Sequence, residues 1–304
     1  MRVSLFFSLL AAATTAFSQY DHRKAYQLEA GTWIENFAPR GSSWYTRLTR
    51  IDRPEVLEVD PAHQHGGPRT IYTFPDATNA TGITELSTDR YAVLTLNQVD
   101  DATTVSIWML DTSGAQPSAN KVIENIGGSE LLNGLAAVTS DIVFTTDTLV
   151  GGVYRIDLQT GTADKVLSGD SFGPGVNGLR YDEPYLYYTN TNEGVFGRVE
   201  VDPITGAPAG EAEVLVSGEI LVGVDDFALA YWTEAAFVAN FYKNTLVRVN
   251  INEGTAEVVV EGIPAPTSAT FATSGGLYVS TSGTGGDEGA SIWSVTVPDE
   301  TFVS

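Results

Sequence analysis

The chain has 304 residues, no cysteine, and 16 Lys and Arg against 38 Asp and Glu, for a formal net charge of −22. That composition excludes disulfide bracing, thiol catalysis, iron–sulfur clusters and cysteine-ligated zinc. It also makes nucleic acid a poor partner, because phosphate binding needs a basic stripe, and it reads instead as the acidic exterior of a soluble extracellular or vesicular protein.

Arg2 precedes the apolar run Val3 to Ala13, which is too short to anchor in a bilayer and reads as a secretory leader. Ala16-Phe17-Ser18 places small residues at the −3 and −1 positions, so cleavage is expected before Gln19. A mature chain of residues 19–304 then forms one domain, with no later apolar segment of that length and hence no expected membrane span.

Lys24 to Ala30 reads as a strand and precedes Trp33-Ile34-Glu35-Asn36-Phe37, the opening of the first of six similar units. Trp44 to Arg50 is polar and blurred, and Glu55 to Pro61 restores an alternating pattern. Pro61 to Pro68 is a loop, where His63 and His65 read as a solvated turn rather than a metal pair. The only other histidine is His22, so a three-histidine zinc site would need all of them in one place. The second unit follows Thr70 to Phe74 and opens at Thr81-Gly82-Ile83, where Asn79-Ala80-Thr81 is the sole N-glycosylation sequon. Arg90 to Leu96 and Thr104 to Leu110 are its further strands, with Asp100-Asp101 turning between them.

The later units open at Asn133-Gly134-Leu135, Asn177-Gly178-Leu179, Asp225-Asp226-Phe227 and Thr267-Ser268-Ala269. Their first positions follow one another at intervals of 46, 52, 44, 48 and 42 residues, counted from Glu35. A period of this length signals propeller blades or helical arrays. The β-branched and aromatic runs between Gly, Asn and Asp turns, as in Ile142 to Thr146 and Tyr185 to Thr189, decide for strands. The predicted fold is therefore all-β: a six-bladed β-propeller with four strands per blade. The last unit lacks a fourth strand before Ser304, and residues 24–30 are expected to supply it by pairing with 291–297.

If the six stretches open the innermost strands, Glu35, Thr81, Asn133, Asn177, Asp225 and Thr267 ring one end of the central channel. No Lys or Arg stands at an equivalent place to balance the carboxylates. Single Asn or Asp residues often only cap strand ends, but six oxygen-bearing positions in register point to function. Oxygen-only donors suit a hard cation such as Ca²⁺ or Mg²⁺. The same ring can hold a general acid, since two neighbouring carboxylates raise one pKa. It can also orient a small organic substrate, with Thr81, Thr267 and the aromatics Trp33, Tyr188 and Phe227 as further contacts. Phe37, Trp232 and Phe271 adjoin the ring too, and some of these aromatics must pack between blades. None of the glycine-rich loops is followed by a helix, and there is no Gly-x-Ser-x-Gly elbow, so neither a phosphate cradle nor a serine hydrolase is expected.

Trp33-Ile34-Glu35-Asn36, the two Asn-Gly-Leu stretches and Asp225-Asp226-Phe227-Ala228-Leu229 resemble the senescence-marker-protein/gluconolactonase-like propellers, particularly secreted fungal members. The resemblance spans nearly the whole mature chain. It implies a divalent cation held by Glu35, Asn177 and Asp225, with Asn133 contacting substrate or metal. Asp226 stands where the lactonases usually have Gly, which leaves either aspartate as the ligand, and no counterpart of their sugar-binding arginine is visible. The chain resembles more closely the hetero-Diels–Alderases of tropolone–sesquiterpenoid biosynthesis. These imply a funnel that joins an o-quinone methide to a humulene-type olefin through Glu35, Asn133, Asn177, Asp225 and Asp226, with no cofactor required for the cycloaddition. A metal-dependent lactonase and a non-catalytic binding propeller remain as alternatives.

Overall fold

The computed structural model describes residues 20–40, 45–61, 67–100, 102–230, 232–272, 275–284 and 288–298. Six antiparallel sheets of four strands each stand around a central channel, making a six-bladed β-propeller. The first blade shows the plan, with strands Ile34–Pro39, Thr46–Arg50, Glu55–Val59 and Arg69–Thr73 running from the channel outward. The inner strands of blades two to six are Asn79–Ser87, Leu132–Ala137, Val176–Asp182, Val224–Ala230 and Pro266–Phe271. Two 3₁₀ turns, Asp170–Phe172 and Glu219–Leu221, are the helical pieces among the described residues. None is long and apolar enough to cross a membrane.

The sixth blade closes as the missing strand requires. His22–Gln27 pairs antiparallel with Ser291–Val295, His22 opposite Val295 and Gln27 opposite Ser291. The pairing segment begins two residues earlier than expected and ends at Gln27, past which one further bond runs from Leu28 N–H to the Ala290 carbonyl at 2.9 Å. The secretory leader, His63 and His65 lie outside the described residues, and His22 packs against Trp293 at 5.8 Å.

Apolar side chains fill each wedge between blades. Phe237 and Leu246 of blade five meet Leu277 and Val279 of blade six, and Ile34 and Leu48 of blade one meet Tyr278 and Ile292 across the closure. Alternation along each strand feeds both neighbouring wedges, which is why nearly every inner residue is buried.

All six inner strands break register at the repeated stretch, between Ile34 and Phe37, Ala80 and Ile83, Leu132 and Leu135, Val176 and Leu179, Val224 and Phe227, and Pro266 and Ser268. A bulge leaves residues off the ladder and re-aims their side chains, and here it turns Glu35, Asn133, Asn177 and Asp225 toward the channel. In blades one, three and four a threonine on the second strand replaces the lost ladder bond. Thr189 Oγ1 accepts from Gly178 N–H at 2.9 Å and donates to the Asp225 carbonyl of the next blade at 2.7 Å. Thr146 does the same between Gly134 N–H and the Asn177 carbonyl.

The second positions decide whether the channel is open. In blades two, three and four they are Gly82, Gly134 and Gly178, and a Cβ on Gly134 would come within 2.2 Å of the Asn177 carbonyl oxygen. Blades five, six and one instead carry Asp226, Ser268 and Asn36, all buried. Backbone closes one half of the cross-section and polar side chains fill the other, so the channel has two separate mouths.

Candidate functional site

At one mouth a cavity of about 360 Å³ has Glu35, Asn133, Asn177 and Asp225 in its lining. Trp33, Leu131, Leu149, Val224, Phe241 and Tyr242 make its apolar wall. The four polar residues come from the first positions of blades one, three, four and five, aimed inward by the bulges, and each is less than a tenth exposed. Glu35 Oε1 accepts from Asn133 Nδ2 at 2.8 Å and Oε2 from Trp33 Nε1 at 2.9 Å. Asn177 Nδ2 donates to Thr191 Oγ1 at 3.1 Å, while its Oδ1 is buried without a partner.

Burial pushes the Glu35 carboxyl up to about 7, against the opposing pull of the Asn133 and Trp33 hydrogen bonds, with Asp226 adding a smaller upward push. Burial also raises Asp225 well above the ordinary carboxylate range, and the charges of Glu35 and Asp226 raise it further. The floor thus holds two carboxyls that resist ionising together.

Asp225 and Asp226, equivalent in the sequence, part company here. Asp225 faces the cavity, whereas Asp226 lies beneath the floor and accepts from Arg180 at 2.5 Å, Ser268 Oγ at 3.1 Å and Phe227 N–H at 2.8 Å. Burial still raises the Asp226 pKa, and Arg180 works against that rise. Arg180 was not singled out by the repeat because it stands three residues beyond Asn177 rather than at an equivalent position. Its long side chain crosses to the next blade and supplies the balancing cation that the register alone did not show. The opposite mouth, a cavity of about 260 Å³, is bordered by Arg180, Phe37, Ile83, Leu135 and Phe271.

The remaining predicted contacts fall elsewhere. Thr81 and Thr267 do not border the cavity, since Thr81 Oγ1 donates to the Leu132 carbonyl at 2.7 Å and Thr267 Oγ1 to the Ile34 carbonyl at 2.9 Å. They latch one blade to the next. Tyr188 packs on Phe172 at 4.7 Å and Phe227 on Phe196 at 5.1 Å, both buried between blades. Trp232 meets Phe271 at 4.9 Å, away from the floor. Of the predicted aromatics, Trp33 lines the cavity, joined by Phe241 and Tyr242, which the sequence reading passed over. Asn79 heads its strand half-buried, and its Nδ2 donates to the Ile51 carbonyl, a bond that a glycan on that nitrogen would have to share or displace.

Among the described residues no group of three or more His, Cys, Asp or Glu side chains is placed to hold a metal. The cavity donors are instead two carboxylates and amides. Glu35, Asp225 and the unpartnered Asn177 Oδ1 form an all-oxygen set lacking charge compensation at this mouth, and such a set fits a hard divalent cation.

No family model matches this chain. It is 24% identical over 305 residues to "Putative hetero-Diels-Alderase asR5" of Sarocladium schorii, covering 79% of this chain and 72% of that one. Among solved structures it resembles a calcium-binding protein, regucalcin, from Agrobacterium tumefaciens, with TM-score 0.68 and 17% identity over 91% of this chain and 95% of that one. It also resembles a gluconolactonase from Xanthomonas campestris, with TM-score 0.64 and 16% identity over 91% and 89% of the two chains. These matches agree with the resemblance carried by the repeated motifs, and the structural ones establish the shared fold.

Proposed function

We propose that this protein is a propeller enzyme that catalyses cyclisation, joining a tropolone o-quinone methide to a humulene-type olefin by hetero-Diels–Alder addition. The observation that carries the reading is the cavity itself, an apolar and aromatic wall standing over a buried carboxyl–amide floor. The similarity to a relative named for this reaction supports the choice of chemistry. Cycloaddition forms one C–C and one C–O bond with no net transfer of protons or electrons, so the protein's task is orientation and polarisation. Holding both partners at reacting distance removes several kcal/mol of entropic cost. Hydrogen-bond donation to the heterodiene oxygen stabilises charge drawn there. A Glu35 carboxyl with its pKa near 7 can be the donor, since it is protonated in a large fraction of molecules near neutral pH. In the same state it can protonate the hydroxyl of a tropolone alcohol, which leaves as water while the ring hydroxyl returns its proton to the carboxylate, giving the neutral quinone methide.

A second reading is favoured by the unpartnered Asn177 Oδ1 beside two uncompensated carboxyls. There Glu35, Asn177 and Asp225 would hold Ca²⁺ or Mg²⁺ for lactone hydrolysis. A bound cation supplies Lewis-acid polarisation of the ester carbonyl. Asn133, held by Glu35, would orient the substrate.

The test offers the purified protein a tropolone quinone-methide precursor with humulenol, beside a panel of sugar and aryl lactones. Stereoselective adduct above the uncatalysed rate is expected, falling at least about tenfold in folded Glu35→Ala and Asn133→Ala variants. Metal-dependent lactone opening without adduct would assign the protein to the second reading. Silence on both panels, with a tight ligand or protein partner recovered, would make it a binding module.

A further inference from the structure

The blades are near-copies, so a departure from the repeat at the cavity mouth calls for a reason. Blades three, four and five each turn from their second to their third strand after an Asp or Asn whose side-chain oxygen accepts turn N–H groups. Asp147 takes Leu149 and Val150, Asn190 takes Asn192 and Glu193, and Asn240 takes Lys243. The next residue is Thr148 in blade three and Thr191 in blade four, but Phe241 in blade five. Thr191 is structural, donating to the Val224 carbonyl at 2.6 Å and accepting from Asn177. Blade five gives up that hydroxyl for a ring.

The ring is built in. Phe241 stacks on Trp33 with centroids 6.0 Å apart and planes 17° from parallel. Trp33 is itself tied to the floor through Nε1 and Glu35 Oε2. Tyr242 packs edge-on to Phe241 at 5.9 Å, and it lies against Gly223, where a Cβ would stand 2.4 Å from the Tyr242 Cβ. These rings are costly to leave at a surface, since Trp33 is 36% and Tyr242 64% exposed. All three border the cavity.

We propose that Trp33, Phe241 and Tyr242 form an aromatic clamp that selects a flat, conjugated, oxygen-bearing ring, stacking on its face while the floor takes its oxygen. The clamp deepens the cyclase reading by naming the class of one partner, and it rests on that reading only for the chemistry that follows binding. A sugar lactone, puckered and hydroxylated, offers no conjugated face to stack on these rings. Phe241 and Tyr242 are positioning and specificity residues here.

Tropone and cycloheptanone test the clamp, because both are seven-membered rings with one carbonyl oxygen and neither chelates a metal. Binding is read from the indole N–H signal of Trp33 in ¹⁵N-labelled protein, identified by its loss in Trp33→Phe. Tropone should bind at least about tenfold more tightly than cycloheptanone, and Phe241→Leu should weaken tropone about three- to tenfold, the range of one aromatic stack. Phe241→Tyr, which keeps the ring, should restore tropone binding, and cycloheptanone should respond to neither change. Equal affinity for the two probes, or tropone binding unaffected by Phe241→Leu, would overturn the clamp. Discrimination between the probes without any adduct would uphold the clamp and sink the cyclase. Adduct formed by Phe241→Leu with unchanged substrate preference would sink the clamp and spare the cyclase.

Discussion

Glu35 shows how a single side chain acquires its chemistry from its surroundings. Two neutral donors, Asn133 and Trp33, hold its oxygens, yet burial outweighs them and carries its pKa from the ordinary carboxylate range to about 7. A carboxyl whose folded pKa exceeds its unfolded value binds more protons when folded, so it costs stability as pH rises between those values. Compared with Glu35→Gln, the wild-type protein should therefore lose on the order of 3 kcal/mol between about pH 4.5 and pH 7 and no more above. Urea unfolding of both proteins across that range measures the difference, and a constant gap would contradict the assignment. A divalent cation would relieve the same penalty. On the metal reading, millimolar Ca²⁺ at pH 7.5 raises the melting temperature of the wild type by several degrees and leaves Asp225→Asn unmoved. Gly134 makes the complementary point about space. Its missing Cβ lets the Asn177 carbonyl approach, so Gly134→Ala should destabilise by about 1–3 kcal/mol, seen as a lower denaturation midpoint at unchanged slope.

At the level of the strand, the bulge and the closing segment carry the design. The bulge aims Glu35, Asn133, Asn177 and Asp225 at the cavity, and a second-strand hydroxyl such as Thr146 or Thr189 repairs the ladder and ties one blade to the next. Thr146→Val keeps the shape but leaves Gly134 N–H and the Asn177 carbonyl unpaired, at an expected cost of about 1–3 kcal/mol in chemical denaturation. The N-terminal strand closes the ring from outside. Its own residues are largely exposed, but Tyr20 fills the wedge between blades five and six, and Tyr26 Oη donates to the Asp60 carbonyl at 2.8 Å. A mature chain lacking residues 19–31 loses these contacts and leaves the Ser291–Val295 edge open. Its melting temperature should fall by more than about 10 °C, and a truncated protein that melts within a few degrees of the full mature chain would contradict the closure.

For the whole molecule, the propeller is a ring of nearly equal parts in which one mouth has been specialised. Three glycines in successive blades and three polar side chains in the others partition the channel, with the Asp226–Arg180 pair forming part of the partition. The acid pair is thereby confined to the mouth that also carries the aromatic wall. The acidic composition and the N-terminal segment belong to this scale as well. On the secretory reading, N-terminal sequencing after expression in a eukaryotic host should give Gln19, and retention of Met1 in a cytosolic product would refute it.

The six blades, their order and the closing strand were legible in the sequence, because strand alternation, turn residues and repeat period are local properties that survive without coordinates. So was the meeting of Glu35, Asn133, Asn177 and Asp225 at one mouth, since equal places in a repeat become equal places around a ring, although the same rule also placed Thr81 and Thr267 there. Tertiary structure decided what depends on reach and direction. It separated Asp225 from Asp226, adjacent residues that the bulge and Arg180, 46 positions away, send to different compartments. It gave the hydroxyls of Thr81 and Thr267 to neighbouring blades, and it brought Phe241 to Trp33 across the mouth. A repeat fixes where each backbone segment stands, but a side chain's partner is set by the distance across the ring.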